Sequence, residues 1–380
     1  MTAPIYLDYQ ATTSLAPEAR AAMEPWLEHF ANPHSPHRLG REAAAAVEVA
    51  RAQVVRALFA GAREDHGSGR FHFTSGATEA ANWALKGAAA FLPPDRRRIV
   101  TLASEHACVL DTVQWLAGQG MEVEVLPVQP SGLVDLDIAR SAITEGTGIV
   151  AAMLVNNEIG TVQPVAELAT LAHVRGATFF CDAVQGFGRV PLPVDKCDMV
   201  AVSAHKIHGP KGIGGLWVRD GVKLDPLLHG GGQEGGVRSG TLSPALCAGF
   251  GAAATLLCER AQVDAAHVDH LWSVAIACLE GWTMNGASQP RYRGNLNMRA
   301  EGLDAARLIS EVRGVAFSAG SACASGSGRP SHVLAALGLD ERQARSSIRI
   351  GFGRYTKEEE LREGLTLMRD AAARQRSFVG

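Results

Sequence analysis

The chain has 380 residues, 47% hydrophobic and 20% charged, with a formal net charge of -3. This is ordinary globular composition, long enough for two domains, and its balanced charge leaves no footprint for nucleic acid or another polyanion. The N-terminal MTAPIYLDYQATT lacks a basic stretch followed by an apolar run, and the longest apolar stretches are broken well short of a membrane span, so a soluble protein without a secretion leader is expected.

In chain order, strand-like runs at 70–73, 99–102, 122–126, 149–155, 178–181, 199–202 and 215–218 alternate with helix-like runs at 78–90, 108–117, 135–142 and 165–174. That alternation predicts an α/β domain with a mostly parallel central sheet flanked by helices. From about 243 to 280 the pattern reads as helix, interrupted around His267. Further strands at 294–299 and 348–351, with helices at 303–312 and 357–374, predict a second, smaller α/β domain.

Seven cysteines, at 108, 181, 197, 247, 258, 278 and 323, are odd in number and scattered. No CxxC pair occurs, so neither a disulfide framework nor a structural zinc site is expected, and no metal site is assigned. Most read as core thiols. Cys323 differs, because it stands in a Ser/Gly/Ala-rich stretch from Ser318 to Gly328.

Five of these predicted strands each end in a polar cluster. These are Thr74-Ser75-Gly76-Ala77-Thr78-Glu79, Ser104-Glu105-His106, Asn156-Asn157-Glu158, Asp182-Ala183-Val184-Gln185 and Ser203-Ala204-His205-Lys206. In an open parallel sheet, ligands bind at the carboxyl ends of the strands, so the clusters should converge on one crevice. The first cluster reads as a phosphate cradle. Gly76 is expected to permit a tight turn, and the N–H groups of Ala77 and Thr78 open a helix whose N-terminus attracts an anion. Taken alone, that cluster is equally an ordinary helix cap by Ser75 or Thr74.

Lys206 alone would read as a surface lysine starting a loop. Burial and neighbouring positive charge would lower its pKa enough for Schiff-base chemistry. Asp182 ends the preceding strand, where a carboxylate paired with a pyridinium nitrogen would keep a pyridoxal ring protonated. A lysine, an acidic partner and a phosphate cradle are the three parts that pyridoxal 5'-phosphate needs. His106 adds a flat ring able to stack or to move protons near neutral pH.

These residues, with Tyr6-Leu7-Asp8-Tyr9, Asn32-Pro33, His229 to Gly232, Arg238 to Thr241, Ser318 to Ser325 and Ser346 to Arg349, carry a resemblance across nearly the whole chain. The chain resembles the cysteine desulfurases, which are class V, fold-type I pyridoxal-phosphate enzymes. It is most similar to the nitrogen-fixation and housekeeping iron–sulfur subgroup. The resemblance implies a large domain of residues 15–255 and a small one of 1–14 and 256–380. It implies that Lys206 binds the cofactor covalently, Asp182 pairs with its ring nitrogen and Gln185 bonds its ring hydroxyl. His106 would stack on the ring and shuttle protons, and Ala77, Thr78, Ser203 and His205 would hold the phosphate. Thr241 would reach the phosphate of the other subunit, which implies a homodimer. Asn157 and Arg349 would face the substrate, with Arg349 clamping its carboxylate, and Asn32 would help to orient it.

The resemblance also makes Cys323 the nucleophile, which takes sulfur from L-cysteine as a persulfide, leaves L-alanine, and passes the sulfur to an iron–sulfur scaffold or other acceptor in the cytoplasm. A cysteine on a long tether can both attack in the crevice and carry its cargo out. Two other readings stand beside this one: a selenocysteine lyase or cysteine-sulfinate desulfinase on the same scaffold, and a silent sulfur-handling partner. Gln10 and Ser14 depart from the residues relatives often carry. The sequence given stops at Gly380, short of the longer tail that housekeeping relatives use to dock a scaffold, so that docking is not carried over.

Overall fold

The computed structural model describes residues 4–60, 68–320 and 331–377; Cys323 lies outside the described residues. The main sheet has seven strands in the order Gly69–Thr74, Gly214–Arg219, Met199–Ser203, Thr178–Asp182, Thr147–Met153, Arg98–Leu102, Glu122–Leu126. The last five strands pair in parallel, and Gly214–Arg219 runs antiparallel to both its neighbours. This is the mostly parallel sheet expected from the alternation of short apolar runs with helices.

Alternate residues of these strands feed two cores. Val150, Ala152, Phe179, Cys181, Val200 and Val202 face one side, with Val54, Leu168, Phe250 and Ala254 from the covering helices. Ile149, Ala151, Phe180, Met199 and Ala201 face the other, with Trp83, Leu85, Val109 and Val113. Helices on both faces explain why all seven residues of Thr147–Met153 are buried, with no polar alternation.

Two early helices, Pro17–Glu28 and Arg38–Leu58, were not anticipated from the sequence; both pack on the long helix Pro244–Cys278. That long helix corrects a second expectation, because it runs unbroken for 35 residues past His267. Its buried residues stop at Leu257 and resume at Val268. The polar stretch between spans the gap between two cores, and His267 Nε2 there donates to Thr356 O at 2.9 Å. A lapse in apolar period marked a bridge, not a break.

Beyond this helix a separate core gathers Leu271, Leu296, Ile348, Ile350, Leu361 and Met368, and Leu7 joins it from the N-terminus. Its three-stranded antiparallel sheet runs Ser347–Gly351, Asn295–Arg299, Thr283–Met284. Ile5–Tyr6 pairs in parallel with Val315–Ala316. Four of the cysteines are buried as expected, but Cys258 is exposed and Cys278 half-buried. Among the described residues no helix is long and apolar enough to cross a membrane.

Candidate active site

The strand ends converge. One cavity of about 530 Å³ is lined by Ala77, Thr78, His106, Asn157, Asp182, Gln185, Ser203, His205, Lys206 and Arg349, together with Gln10, Ala11 and Thr12. Asn32 and Thr241 do not line it. Both are exposed, and Asn32 turns its side-chain oxygen to the N–H of His34 at 2.9 Å.

The cradle forms differently from the sequence expectation. Gly76 caps the helix Ala77–Ala89 in an extended conformation, with φ 164 and ψ 176, which any residue could adopt. No side chain caps that helix, so the N–H groups of Ala77 and Thr78 are left open to an anion. The two residues considered as caps are engaged elsewhere. Ser75 N–H donates to Glu79 Oε2 at 2.7 Å, and Thr74 Oγ1 donates to Gly76 O at 2.9 Å. The glycine demanded here is Gly214, where a Cβ would come within 2.8 Å of the Gly76 backbone; a Cβ on Gly76 itself would meet nothing within 4 Å. Arg238 braces the cradle from outside through two bonds to Glu79, at 2.7 and 3.0 Å.

Lys206 follows the strand Met199–Ser203 in a short turn, and its Nζ donates to Gln10 O at 2.6 Å and Ala11 O at 2.8 Å. Burial, then the charges of Arg189 and Arg349, bring the amine down to about 8. Sequence reasoning overlooked Arg189. It donates to Lys206 O and, at 2.7 Å, to Gln185 Oε1, and its guanidinium lies over the Tyr292 ring. Its spacing of four from Gln185 was the available signal. His205 is likewise brought down to about 4, chiefly by burial and then by Lys206, so it is neutral at pH 7.

Asp182 ends its strand buried, with Oδ1 accepting from Val184 N–H at 3.0 Å. Burial pushes this carboxyl up, while His106 and Lys206 pull it down. His106 caps the helix Ala107–Ala117 by accepting the Cys108 N–H on Nδ1 at 3.1 Å. An accepting Nδ1 places the proton of the neutral ring on Nε2. Gln185 donates through Nε2 to Gln10 O at 2.9 Å, which leaves one amide hydrogen for a ligand.

Arg349 is 1% exposed, donating to Asp8 Oδ1 at 2.8 Å and to Asn157 O at 3.1 Å. Its Nε is buried without a partner among the described residues, as is Asn157 Oδ1. Buried polar atoms are rarely left unpaired, so these two, on the wall of one cavity, point to a polar ligand. Cys108 also lines the cavity, but burial holds its thiol far above the range of a reactive thiolate.

The described residues on either side of 321–330 meet at Glu158, the neighbour of Asn157 in sequence. A Cβ on Gly320 would lie 3.4 Å from Glu158 Oε2, which also accepts from Ser331 Oγ. His332 Nε2 then donates to the backbone oxygen of Glu105 at 2.8 Å, next to His106.

A lysine at a strand end, an acid on the neighbouring strand and an uncapped helix N-terminus facing one crevice define a fold-type I pyridoxal-phosphate enzyme. The family model described as aminotransferase class-V matches residues 5–363. The cysteine desulfurase IscS of Rickettsia bellii (strain OSU 85-389) is 44% identical over 368 residues, 94% of this chain and 88% of that protein. The cysteine desulfurase IscS of Rickettsia akari (strain Hartford) is 43% identical over 378 residues, 97% of this chain and 91% of that protein. Among solved structures, a NifS-like protein superposes with a TM-score of 0.89 at 32% identity, covering 97% of this chain and 99% of its own. SspA in complex with cysteine superposes with a TM-score of 0.81 at 34% identity, covering 93% of this chain and 99% of its own. The chain belongs to the class-V aminotransferase family, in the group of the cysteine desulfurases.

Proposed function

We propose that the cavity removes sulfur from L-cysteine, leaving L-alanine and a persulfide on Cys323. The observation that carries this reading is the convergence of Lys206, Asp182, His106 and Arg349 on one wall-to-wall site. The site fits pyridoxal 5'-phosphate. Lys206 would hold it covalently, Asp182 would pair with its ring nitrogen, and Gln185 and Asn157 would bond the ring hydroxyl side. Ala77, Thr78, Ser203 and His205 would take the phosphate, joined by Thr241 of a second copy of the chain. When bound, the ring draws electrons from the α-carbon of the amino acid.

The chain's own residues supply the rest. Arg349 seats the substrate carboxylate with the donor that the fold leaves unpartnered, beside Asn157. Asn32 is read as a further orienting residue. Lys206, a neutral amine above about pH 8, takes the proton from the α-carbon. His106 would stack on the ring, leaving Nε2 to donate or receive a proton. The Cys323 thiolate attacks the substrate sulfur, the carbon–sulfur bond breaks with its electron pair going to carbon, and the new sulfur–sulfur bond stays on the protein. Protonation of that β-carbon and return of a proton to the α-carbon, which Lys206 can supply, give L-alanine. Cys108, the thiol that lines the cavity among the described residues, is held protonated by burial, which favours Cys323 as nucleophile.

The molecule is read as a cytoplasmic homodimer, divided into residues 15–255 and a small domain of 1–14 with 256–380. The names of its relatives support an iron–sulfur scaffold or carrier as sulfur acceptor. Cys323→Ala tests the reading. The variant should keep the visible absorbance of lysine-bound cofactor and release neither sulfide nor alanine from cysteine. Turnover at the parent rate would remove Cys323 from the mechanism.

A further inference from the structure

The amine of Lys206 rests on a piece of chain that belongs half to one core and half to the other. Before Gln10, Asp8 pairs with Arg349 at 2.8 Å and Leu7 O accepts from Gly351 N–H at 2.8 Å. After Ala11, the Thr12 hydroxyl meets His205 Nδ1 at 3.1 Å, and Thr13 donates through N–H and Oγ1 to His205 O, both at 2.9 Å. The crossover falls at Gln10, which is 2% exposed.

Gln10 is bonded in both directions. Its carbonyl accepts from Lys206 Nζ at 2.6 Å and from Gln185 Nε2 at 2.9 Å. Its side chain donates to Gly294 O at 2.8 Å. It also lies so close to Gly351 that a Cβ there would sit 1.8 Å from Gln10 Oε1. Gly351 ends the strand that carries Arg349, and Gly294 immediately precedes its partner strand Asn295–Arg299.

We propose that Gln10 is a positioning residue for the reaction, joining the small sheet that carries Arg349 to the resting place of the Lys206 amine. The proposal rests on the reading of Lys206 as the cofactor lysine. In the cofactor-free chain the Lys206 amine rests on the Gln10 and Ala11 carbonyls, and it must leave them to bond the cofactor. Those carbonyls are held where they are because the Gln10 side chain is pinned to the sheet on which the substrate carboxylate would seat. One residue therefore ties the carboxylate clamp, the amine and Gln185 to a common frame.

Two variants test this. Gln10→Ala removes bulk and hydrogen bond; Gln10→Met keeps the bulk and loses only the bond to Gly294. Both are expected to lower kcat on cysteine about tenfold, since a slightly misplaced catalytic group slows chemistry more than binding. KM should move by less than about threefold. The second readout is the pH dependence of pyridoxal phosphate uptake by protein prepared without it. With the two carbonyls loosened, the ammonium form loses acceptors, so the midpoint should fall by about half a pH unit or more. A variant with a lower melting temperature but parental kcat and midpoint would show Gln10 to be a packing residue and overturn the proposal. If Gln10→Ala fails to fold, Gln10→Met decides by the same measurements. A parent protein that takes up no cofactor would instead overturn the reading of Lys206, and this proposal with it.

Discussion

The Arg349 guanidinium, on the cavity wall, donates to Asp8 Oδ1 at 2.8 Å, joining residues 341 apart in sequence. The pair neutralises part of a charge that would otherwise be buried alone, while the guanidinium Nε stays unpartnered among the described residues. Removing one member of such a buried pair costs about 2–5 kcal/mol. Arg349→Gln is expected to lower kcat/KM for cysteine at least about thirtyfold, mostly through KM. Arg349→Lys should restore little, because an ammonium cannot serve Asp8, Asn157 and a carboxylate in one plane. Steady-state rates over a wide cysteine range check this; an unchanged KM would remove Arg349 from the substrate site.

The Lys206 amine is brought down to about 8 by burial first, then by Arg189 and Arg349. Only its neutral form attacks an aldehyde. The rate of pyridoxal phosphate uptake should therefore rise with pH around a midpoint near 8, rather than near the 10.5 of an ordinary lysine. Arg189→Gln should move that midpoint upward by removing a positive neighbour. Stopped-flow absorbance across pH 6 to about 11 reads both, a range spanning the shifted and ordinary values. A midpoint that ignores Arg189 would show burial acting alone.

His106 serves both as helix cap and as cavity wall, and the two roles separate by substitution. Asn at 106 retains a side-chain acceptor for the Cys108 N–H, whereas Ala does not. His106→Ala should lose about 1 kcal/mol of stability and His106→Asn much less. Both should lose about a hundredfold or more in kcat. Denaturant unfolding set beside turnover distinguishes them; equal stability in the two variants would argue against the cap.

Glu234 anchors the glycine-rich stretch that precedes Thr241. Its carboxylate accepts from Arg51 at 2.7 and 2.8 Å and from Phe73 N–H at 3.1 Å, with His72 Nδ1 at 3.5 Å. Burial alone would raise this carboxyl, but His72 and Arg51 bring it down to about 2 from an ordinary 4.5. A group with a depressed folded value stabilises above its unfolded value, and that contribution is lost as pH falls through the folded one. Between about pH 4.5 and 2 the parent should therefore shed about 3 kcal/mol that Glu234→Gln lacks throughout. Urea unfolding at pH 5 and about pH 3 measures the difference; parallel acid losses in both proteins would contradict the assignment.

The sheet and its polar strand ends were legible because both are local patterns. A short apolar run followed by Asp182 or by His205-Lys206 needs no knowledge of the rest of the chain. The long helix was misread at His267 because its period lapses where it passes between two cores, which only the packed structure reveals. Gly76 was credited with a turn it does not make; the close approach belongs to Gly214, 138 positions away in sequence. Arg189 passed unnoticed because its significance is the carbonyl of Lys206 behind it.

The residue types alone point to the chemistry: a lysine, an acid and an anion cradle at the strand ends of one sheet match the parts that pyridoxal phosphate needs. Resemblance, rather than physics, singled out Cys323, whose neighbours are small and carry no local signal. Packing decided what those residues can do. The N-terminal segment crosses from one core to the other over Lys206, its carbonyls receive the amine, and burial beside Arg189 lowers that amine toward neutrality. Desolvation and the field of distant charges depend on which atoms fold around a group, so they exist only once the chain has closed over it.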